Sequence, residues 1–226
     1  MKKIAIIPAR IGSKRIPKKN IKNFLGKPII AYTISVATKS NLFDEIIVST
    51  DHKSIADISI KYGAKVPFLR SKKNSSDFAS TYDVLIEVLN KYKEKEFEYG
   101  CCLYPAAPLI TKNLINECYN KIVGYHWDTV FPIVEYGHPI DRALCFDENK
   151  KIKFINPINS LKRTQDLEKK FHDSGQFYWF NIQKLRENKE LISKNSTGVI
   201  VSKNKVQDID NLDDWKLAEL KYKFKL

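Results

Sequence analysis

Four short runs in this chain are apolar through their middles, and they restrict the fold more than any other feature. They lie at residues 3–8, 45–51, 99–104 and 129–134, around Ile4-Ala5-Ile6-Ile7, Ile46-Ile47-Val48, Gly100-Cys101-Cys102-Leu103 and Val130-Phe131-Pro132-Ile133-Val134. A strand with one face in water alternates apolar and polar residues, so a strand apolar on both faces has to be covered on both. Helical periods separate these runs. Pro28 suits a first helical position, followed by Ile30, Ile34 and Ala37 on one face. Residues 54–62 are predicted helical with Gly63 as the stop, then 82–92 with Val84, Leu85, Val88 and Leu89 inward, then 112–123. Strand and helix alternating in this way predict an α/β fold of three layers, a mostly parallel sheet between helices. Further strands are expected at 197–202 and at 66–70, the latter peripheral because Pro67 cannot donate to a ladder.

In such sheets ligands gather at the carboxyl ends of the strands, where Arg10, Asp51, Arg70 and Pro105 fall. The first strand empties into Ala9-Arg10-Ile11-Gly12-Ser13-Lys14-Arg15-Ile16-Pro17-Lys18-Lys19-Asn20. A buried strand delivering a Gly-Ser loop rich in cations is a phosphate-binding arrangement. Gly12 has no Cβ to keep an anion away, Ser13 offers a hydroxyl and an N–H, and Arg10, Lys14 and Lys19 can neutralise charge. The spacing is neither G-x-G-x-x-G nor G-x-x-x-x-G-K-[ST], which sets aside the Rossmann and Walker loops. The plainer alternative is a solvated basic turn.

Charge distribution bears on that choice. The chain of 226 residues has 39 Lys and Arg against 26 Asp and Glu, net +13. Its first 43 residues hold ten of the cations and no acid, and the remainder is almost balanced, 29 against 26. Charge gathered around one loop suits a compact polyanion, whereas nucleic-acid binding usually spreads it along a face or helix. A basic nucleotide- or RNA-binding module is the non-enzymatic alternative.

The length fits a single α/β domain over residues 1–226, with an inserted arm at about 135–170 where the alternation breaks into hairpin-like pieces. No run approaches the roughly 18 apolar residues of a membrane span. The first apolar stretch is short for a signal sequence and is interrupted by Pro8, so a cytoplasmic protein is expected. Cys101, Cys102, Cys118 and Cys145 form no C-x-x-C pair, which leaves a zinc site unsupported, and adjacent Cys101 and Cys102 in a strand-like run read as reduced core thiols. Near the end, Asp208 and Asp210 lie two apart in an extended stretch and so point to one side. Two carboxylates together suit Mg²⁺, which takes one or two carboxylates plus substrate phosphates. The alternative is capping near Asn211 and Asp213, Asp213 fitting that role better than Asp208 or Asp210, before a helix in which Leu212, Trp215 and Ala218 recur at helical spacing.

Several of these stretches together resemble the acylneuraminate (nonulosonic acid) cytidylyltransferases. The likeness rests first on Ile6-Ile7-Pro8-Ala9-Arg10, Gly12-Ser13-Lys14-Arg15-Ile16-Pro17 and Lys19-Asn20, with Ile11 where the family usually has Gly. Arg70 through Thr81 is similar to the segment that reads cytosine, although Ser80 and Thr81 would also cap a helix. Leu103-Tyr104-Pro105-Ala106-Ala107-Pro108 resembles the family's Gln-Pro-Thr-Ser-Pro loop, with Tyr104 for Gln and Ala106-Ala107 for Thr-Ser. Asp173-Ser174-Gly175-Gln176-Phe177-Tyr178-Trp179 is similar to Asp-Ala-Gly-Gln-Phe-Tyr-Trp of the branch that acts on pseudaminic acid.

The resemblance implies a nucleotide-diphospho-sugar transferase fold of the GT-A-like kind, with the arm used for dimerisation. It implies transfer of CMP from CTP to the anomeric hydroxyl of an acidic nine-carbon sugar, with pyrophosphate leaving. Lys14, Arg10 and Lys19 are then catalytic, with Lys14 at the α-phosphate and Arg10, Ser13 and Lys19 at the β- and γ-phosphates. Gly12, Asn20, Arg70, Ala79 and Thr81 complete the CTP site. Tyr104, Arg163, Gln176 and Tyr178 meet the sugar, Arg163 through its carboxylate, while Asp208 and Asp210 hold Mg²⁺. His172 is equally plausible as a structural residue, and Phe177 and Trp179 fit packing on one strand face. Pseudaminic acid is the expected sugar, with neuraminic, legionaminic and 3-deoxy-manno-octulosonic acids as alternatives.

Overall fold

The computed structural model describes residues 1–224. The strands, in chain order, are β1 (Lys3–Pro8), β2 (Asn23–Phe24), β3 (Lys27–Pro28), β4 (Glu45–Ser49), β5 (Tyr99–Leu103), β6 (Thr129–Glu135), β7 (Leu144–Phe146), β8 (Ile152–Phe154), β9 (Phe171–Asp173), β10 (Phe177–Asn181) and β11 (Ser196–Ile200). The helices are α1 (Ile29–Ser40), α2 (Lys53–Lys61), α3 (Thr81–Lys91), α4 (Lys112–Tyr125), α5 (Ile182–Asn188) and α6 (Leu212–Phe224). The main sheet runs β11-β6-β10-β5-β1-β4, with β9 added beside β6. Strands β4, β1, β5, β6 and β11 point the same way, and β10 runs against both its neighbours.

The doubly apolar strands do divide their side chains between two cores. Ala5 and Ile7, Cys101 and Leu103, Phe177 and Trp179 face α1, α2 and α4. Ile4 and Ile6, Cys102, Tyr178 and Phe180 face α3 and α5. This is the two-residue period of a strand read out as three layers. Phe177 and Trp179 therefore pack on one face, as their spacing implies, and Trp179 Nε1 donates to the Ile115 carbonyl at 3.0 Å. A third core joins Ile16 and Phe24 to Ile209, Trp215 and Ala218, so the basic loop is seated on α6. Cys101, Cys102 and Cys118 are buried and unbridged, and burial pushes their thiols up, which keeps them inert.

Four local expectations are corrected. Residues 66–70 form no strand; parallel bridges at Ile47↔Lys65 and Thr50↔Leu69 flank Pro67, which has no N–H for the rungs between. Pro28 sits one residue ahead of α1, with an extended ψ of 136°. Asp213 does not cap α6: Asn211 Oδ1 accepts from the Asp213 and Asp214 N–H groups, and Asp214 Oδ2 accepts from Asp210 and Asn211. Leu212 is exposed, leaving Trp215 and Ala218 as the inward residues of that helix. Gly63, with φ +97°, ends α2 as predicted. The arm carries the β7–β8 hairpin joined by short turns, and no helix of the described residues is long and apolar enough to cross a membrane.

Candidate active site

The carboxyl ends of β1 and β5 open into a cleft of about 680 Å³. Backbone bonds fix how the basic loop enters it. Ala9 N–H donates to the Ser49 carbonyl at 2.9 Å, and Ile11 N–H donates to Asp51 Oδ1 at 3.0 Å. The start of the loop is thereby tied to the end of β4, while Ile16 anchors its far side in the third core. Asn20 Nδ2 then donates to the Arg10 carbonyl at 2.9 Å and closes the loop on itself. Gly12 is demanded by no protein neighbour, since a Cβ there would meet nothing within 4 Å. The Ser13 N–H, expected to face an anion, donates instead to the Ile11 carbonyl at 2.8 Å.

The cations fall into two groups. Arg10 Nη1 and Lys14 Nζ each lie 2.6 Å from an oxygen of Asp77, and Lys14 with Arg10 holds that carboxyl below its usual range. Two cations on the two oxygens of one carboxylate can also grip the oxygens of a phosphate. Lys19 belongs to the other group. Its Nζ donates to the Ile209 carbonyl at 2.6 Å, and burial lowers its pKa against the pull of Asp210 and Asp208. Arg15 Nη2 pairs with Asp210 Oδ1 at 2.6 Å. Lys19 thus lines the same cleft as Arg10 and Lys14 but sits beside the carboxylates instead of pairing with Asp77.

Asp208 and Asp210 both line the cleft while Ile209 between them is buried in the third core, the alternation expected of extended chain. Burial and the charge of Asp210 push the Asp208 carboxyl up. Two carboxylates facing one cleft are the hard oxygen donors that Mg²⁺ takes, so the pair fits that ion. Among the described residues there is no group of three or more His, Cys, Asp or Glu placed to hold a metal, and Mg²⁺ is normally held by only one or two carboxylates together with substrate phosphates.

In the same cleft, Arg70 is buried against β4. Its Nε donates to Ser49 Oγ at 3.0 Å and its Nη2 to the Ser49 carbonyl, and burial lowers its pKa. Ala79 and Thr81 line the cleft beside it. Ser80 is the cap of α3, its Oγ accepting from Asp83 N–H at 3.2 Å, while Thr81 is the first helical residue.

Past Thr81 and Tyr104 a second concavity of about 380 Å³ adjoins the cleft. Tyr82, Tyr104 and Tyr178 make its aromatic side, and Leu191 and Ile192 its aliphatic side. Tyr104 and Tyr178 meet edge to face with centroids 5.7 Å apart. The Tyr178 hydroxyl donates to the Asp173 carboxylate, and burial together with that bond pushes its pKa up, so it stays a neutral donor. Two expected sugar contacts, Gln176 and Arg163, lie elsewhere. Gln176 is buried behind the cleft, donating from Nε2 to the Lys205 carbonyl at 3.0 Å, and its own carbonyl accepts from Tyr104 N–H at 2.9 Å. Arg163 lies on the exposed arm, bidentate to Asp166 at 2.8 and 3.0 Å. Of the two alanines after Pro105, Ala106 lines the cleft and Ala107 is core. His172 packs on Tyr136, centroids 5.0 Å apart, outside both concavities.

Sequence reasoning missed Asp77, Arg15, Tyr82, Leu191 and Ile192. Asp77 lies within the Arg70–Thr81 stretch that resembles the cytosine-reading segment, whereas the 191–192 wall carries no motif.

Comparison with known proteins places this geometry. The family described as Cytidylyltransferase matches residues 4–211. A pseudaminic acid cytidylyltransferase of Campylobacter jejuni is 40% identical over 99% of this chain and 97% of its own length. A CMP-N,N'-diacetyllegionaminic acid synthase of Legionella pneumophila is 32% identical over 97% of this chain and 95% of its own. Among solved structures, a CMP:2-keto-3-deoxy-manno-octonic acid synthetase complexed with CTP superposes with TM-score 0.75 at 17% identity, covering 100% of both chains, so the nucleotidyltransferase fold is shared. With a cation loop and a carboxylate pair around one cleft of that fold, and a family match over nearly its whole length, the chain belongs to the cytidylyltransferase family.

Proposed function

We propose that this protein transfers CMP from CTP to the anomeric hydroxyl of pseudaminic acid and releases pyrophosphate. The observation that carries the reading is the meeting of Arg10, Lys14, Asp208 and Asp210 around one cleft, beside an aromatic concavity. The 40% identical Campylobacter jejuni relative, a pseudaminic acid cytidylyltransferase, supports the sugar.

In-line displacement at the α-phosphorus asks a site to position the triphosphate and to neutralise charge as it develops. Arg10 and Lys14 are within reach of a common anion and hold phosphate oxygens, Lys14 at the α-phosphate, with Gly12 and the Ser13 hydroxyl alongside. Lys19 orders the Ile209 backbone and so the Asp208–Asp210 wall. Bound by Asp208 and Asp210, Mg²⁺ supplies positive charge at the phosphates. Arg70, Asn20 and the backbone near Ala79 and Thr81 read the cytosine, whose N3 and O2 accept and whose N4 donates.

The second concavity takes the sugar. Its aliphatic side at Leu191 and Ile192 suits a methyl group better than a glycerol chain, whose hydroxyls would lose water against it. The protein works as a cytoplasmic homodimer. Phe146, Ile158 and Leu161 leave the arm with large exposed apolar side chains, which a second copy covers, and Arg163 of that arm reaches the sugar carboxylate of the facing protomer.

Pyrophosphate release from CTP is measured with pseudaminic, legionaminic, neuraminic and 3-deoxy-manno-octulosonic acids, followed by competition of equal amounts of the first and third. CMP-pseudaminic acid is expected to dominate. Dominance of CMP-neuraminate overturns the sugar assignment, and no pyrophosphate with any sugar overturns the reaction.

A further inference from the structure

The segment between α5 and β11 has no strand pairing of its own, yet Lys189, Glu190, Leu191 and Ile192 form one wall of the second concavity. One buried carboxylate organises it. Asp128, between α4 and β6, is only 9% exposed. Its Oδ2 accepts from Asn188 Nδ2 and from Ser193 Oγ, both at 2.9 Å, and its Oδ1 accepts from Asn195 Nδ2 at 3.0 Å. Its N–H donates to the Asn195 carbonyl at 2.9 Å, and its neighbour Thr129 donates from Oγ1 to the Leu191 carbonyl at 2.6 Å.

A carboxylate taken out of water is costly unless its lone pairs are used. Here they are used by neutral donors that flank the pocket wall, Asn188 just before it and Ser193 and Asn195 just after it. Burial alone would raise the Asp128 carboxyl, but the bonds from Asn195, Ser193 and Asn188 override it and hold the group below its usual range. The charge is therefore present at neutral pH, and charge-assisted bonds are the stronger kind. Mere loop closure needs no charge; the backbone bond to Asn195 and the Thr129 bond already tie the segment at two points.

We propose that Asp128 is a positioning residue that fixes the Leu191–Ile192 wall and so sets how tightly the acidic sugar is held, without touching it. This rests on the reading of the second concavity as the sugar site.

The test uses the full chain with CTP and pseudaminic acid, comparing Asp128→Ala, Asp128→Asn and, as a change in the wall itself, Ile192→Ser. Sugar KM is measured at saturating CTP, and CTP Kd on the enzyme without sugar. Asp128→Ala is expected to raise sugar KM about tenfold or more while CTP Kd stays within about twofold. Asn keeps one acceptor and turns an N–H₂ toward the Asn195 amide, so it rescues in part. If Ile192→Ser raises sugar KM and the Asp128 variants do not, the positioning role is overturned and the sugar site stands. If none of the three moves sugar KM, the sugar-site reading falls and the inference with it. An equal loss of sugar and CTP binding also overturns it, as a general structural effect. Should Asp128→Ala fail to fold, hydrogen exchange of Asp128→Asn decides: faster exchange confined to residues 188–195 is expected, and unchanged or uniformly faster exchange refutes the role.

Discussion

Arg70 offers a demanding test because one side chain serves the fold and the cleft at once. It is 8% exposed, and two of its five N–H groups are committed to Ser49, one to the hydroxyl and one to the carbonyl that also receives Ala9 N–H. The remaining donors are available to a cleft ligand. Arg70→Met keeps most of the bulk and removes every donor. The two bonds to Ser49 are worth about 1.5–3 kcal/mol each, and because the buried charge and its desolvation cost go with them, stability falls by about 1.5–3 kcal/mol in all. For a chain of this length that is a Tm drop of about 3–12 °C. Arg70→Lys keeps the charge on a single ammonium, which cannot hold Ser49 and also present a planar fork to a base. CTP binding is then expected to weaken about tenfold or more with a smaller loss of Tm. Thermal unfolding of the free enzyme and equilibrium CTP binding measure the two effects separately. Wild-type Tm in Arg70→Met, or wild-type CTP affinity in Arg70→Lys, would refute the double role.

Asp208→Asn and Asp210→Asn are each expected to raise the Mg²⁺ concentration needed for half-maximal pyrophosphate release; superimposable titrations would leave the pair a structural role. Gly100→Ala places a Cβ 2.3 Å from Phe180 Cζ, across the rung pairing Gly100 with Phe180, and overpacking of this kind costs about 1–3 kcal/mol in urea unfolding. Phe180→Leu in the same chain should recover part of that loss, and strict additivity would argue against the clash. Glu45 is buried, which by itself raises its pKa, but bonds from Lys65 and Lys95 lower it below the ordinary carboxylate value. Its contribution is therefore complete above the unfolded pKa of about 4.3 and lost as pH falls through the depressed folded value. The stability gap between wild type and Glu45→Gln should hold steady near neutrality and close in acid, a gap that widened in acid being the contrary result.

Much of this protein is written in local spacing. The two-residue period of Ile4 to Ile7 and of Phe177 to Phe180 dictates a sheet with two buried faces, because backbone geometry alone sends successive side chains opposite ways. The same rule puts Asp208 and Asp210 in the cleft once Ile209 turns inward. The cation loop after β1 was equally legible, since its charges are neighbours in the chain. What tertiary structure decided is which distant groups meet. Arg10 reaches Asp77 across 67 residues, and Lys19 reaches the Ile209 carbonyl across 190. Neither partner can be read from spacing, because each depends on how whole layers settle on one another. The reversal of β10 has the same origin: one strand entering the sheet backwards carries Gln176 behind the cleft and Tyr178 into the second concavity. The wall at Leu191 and Ile192 is the extreme case, a segment without periodicity whose place is set by a carboxylate more than 60 residues earlier, through hydrogen bonds that exist only in the folded chain.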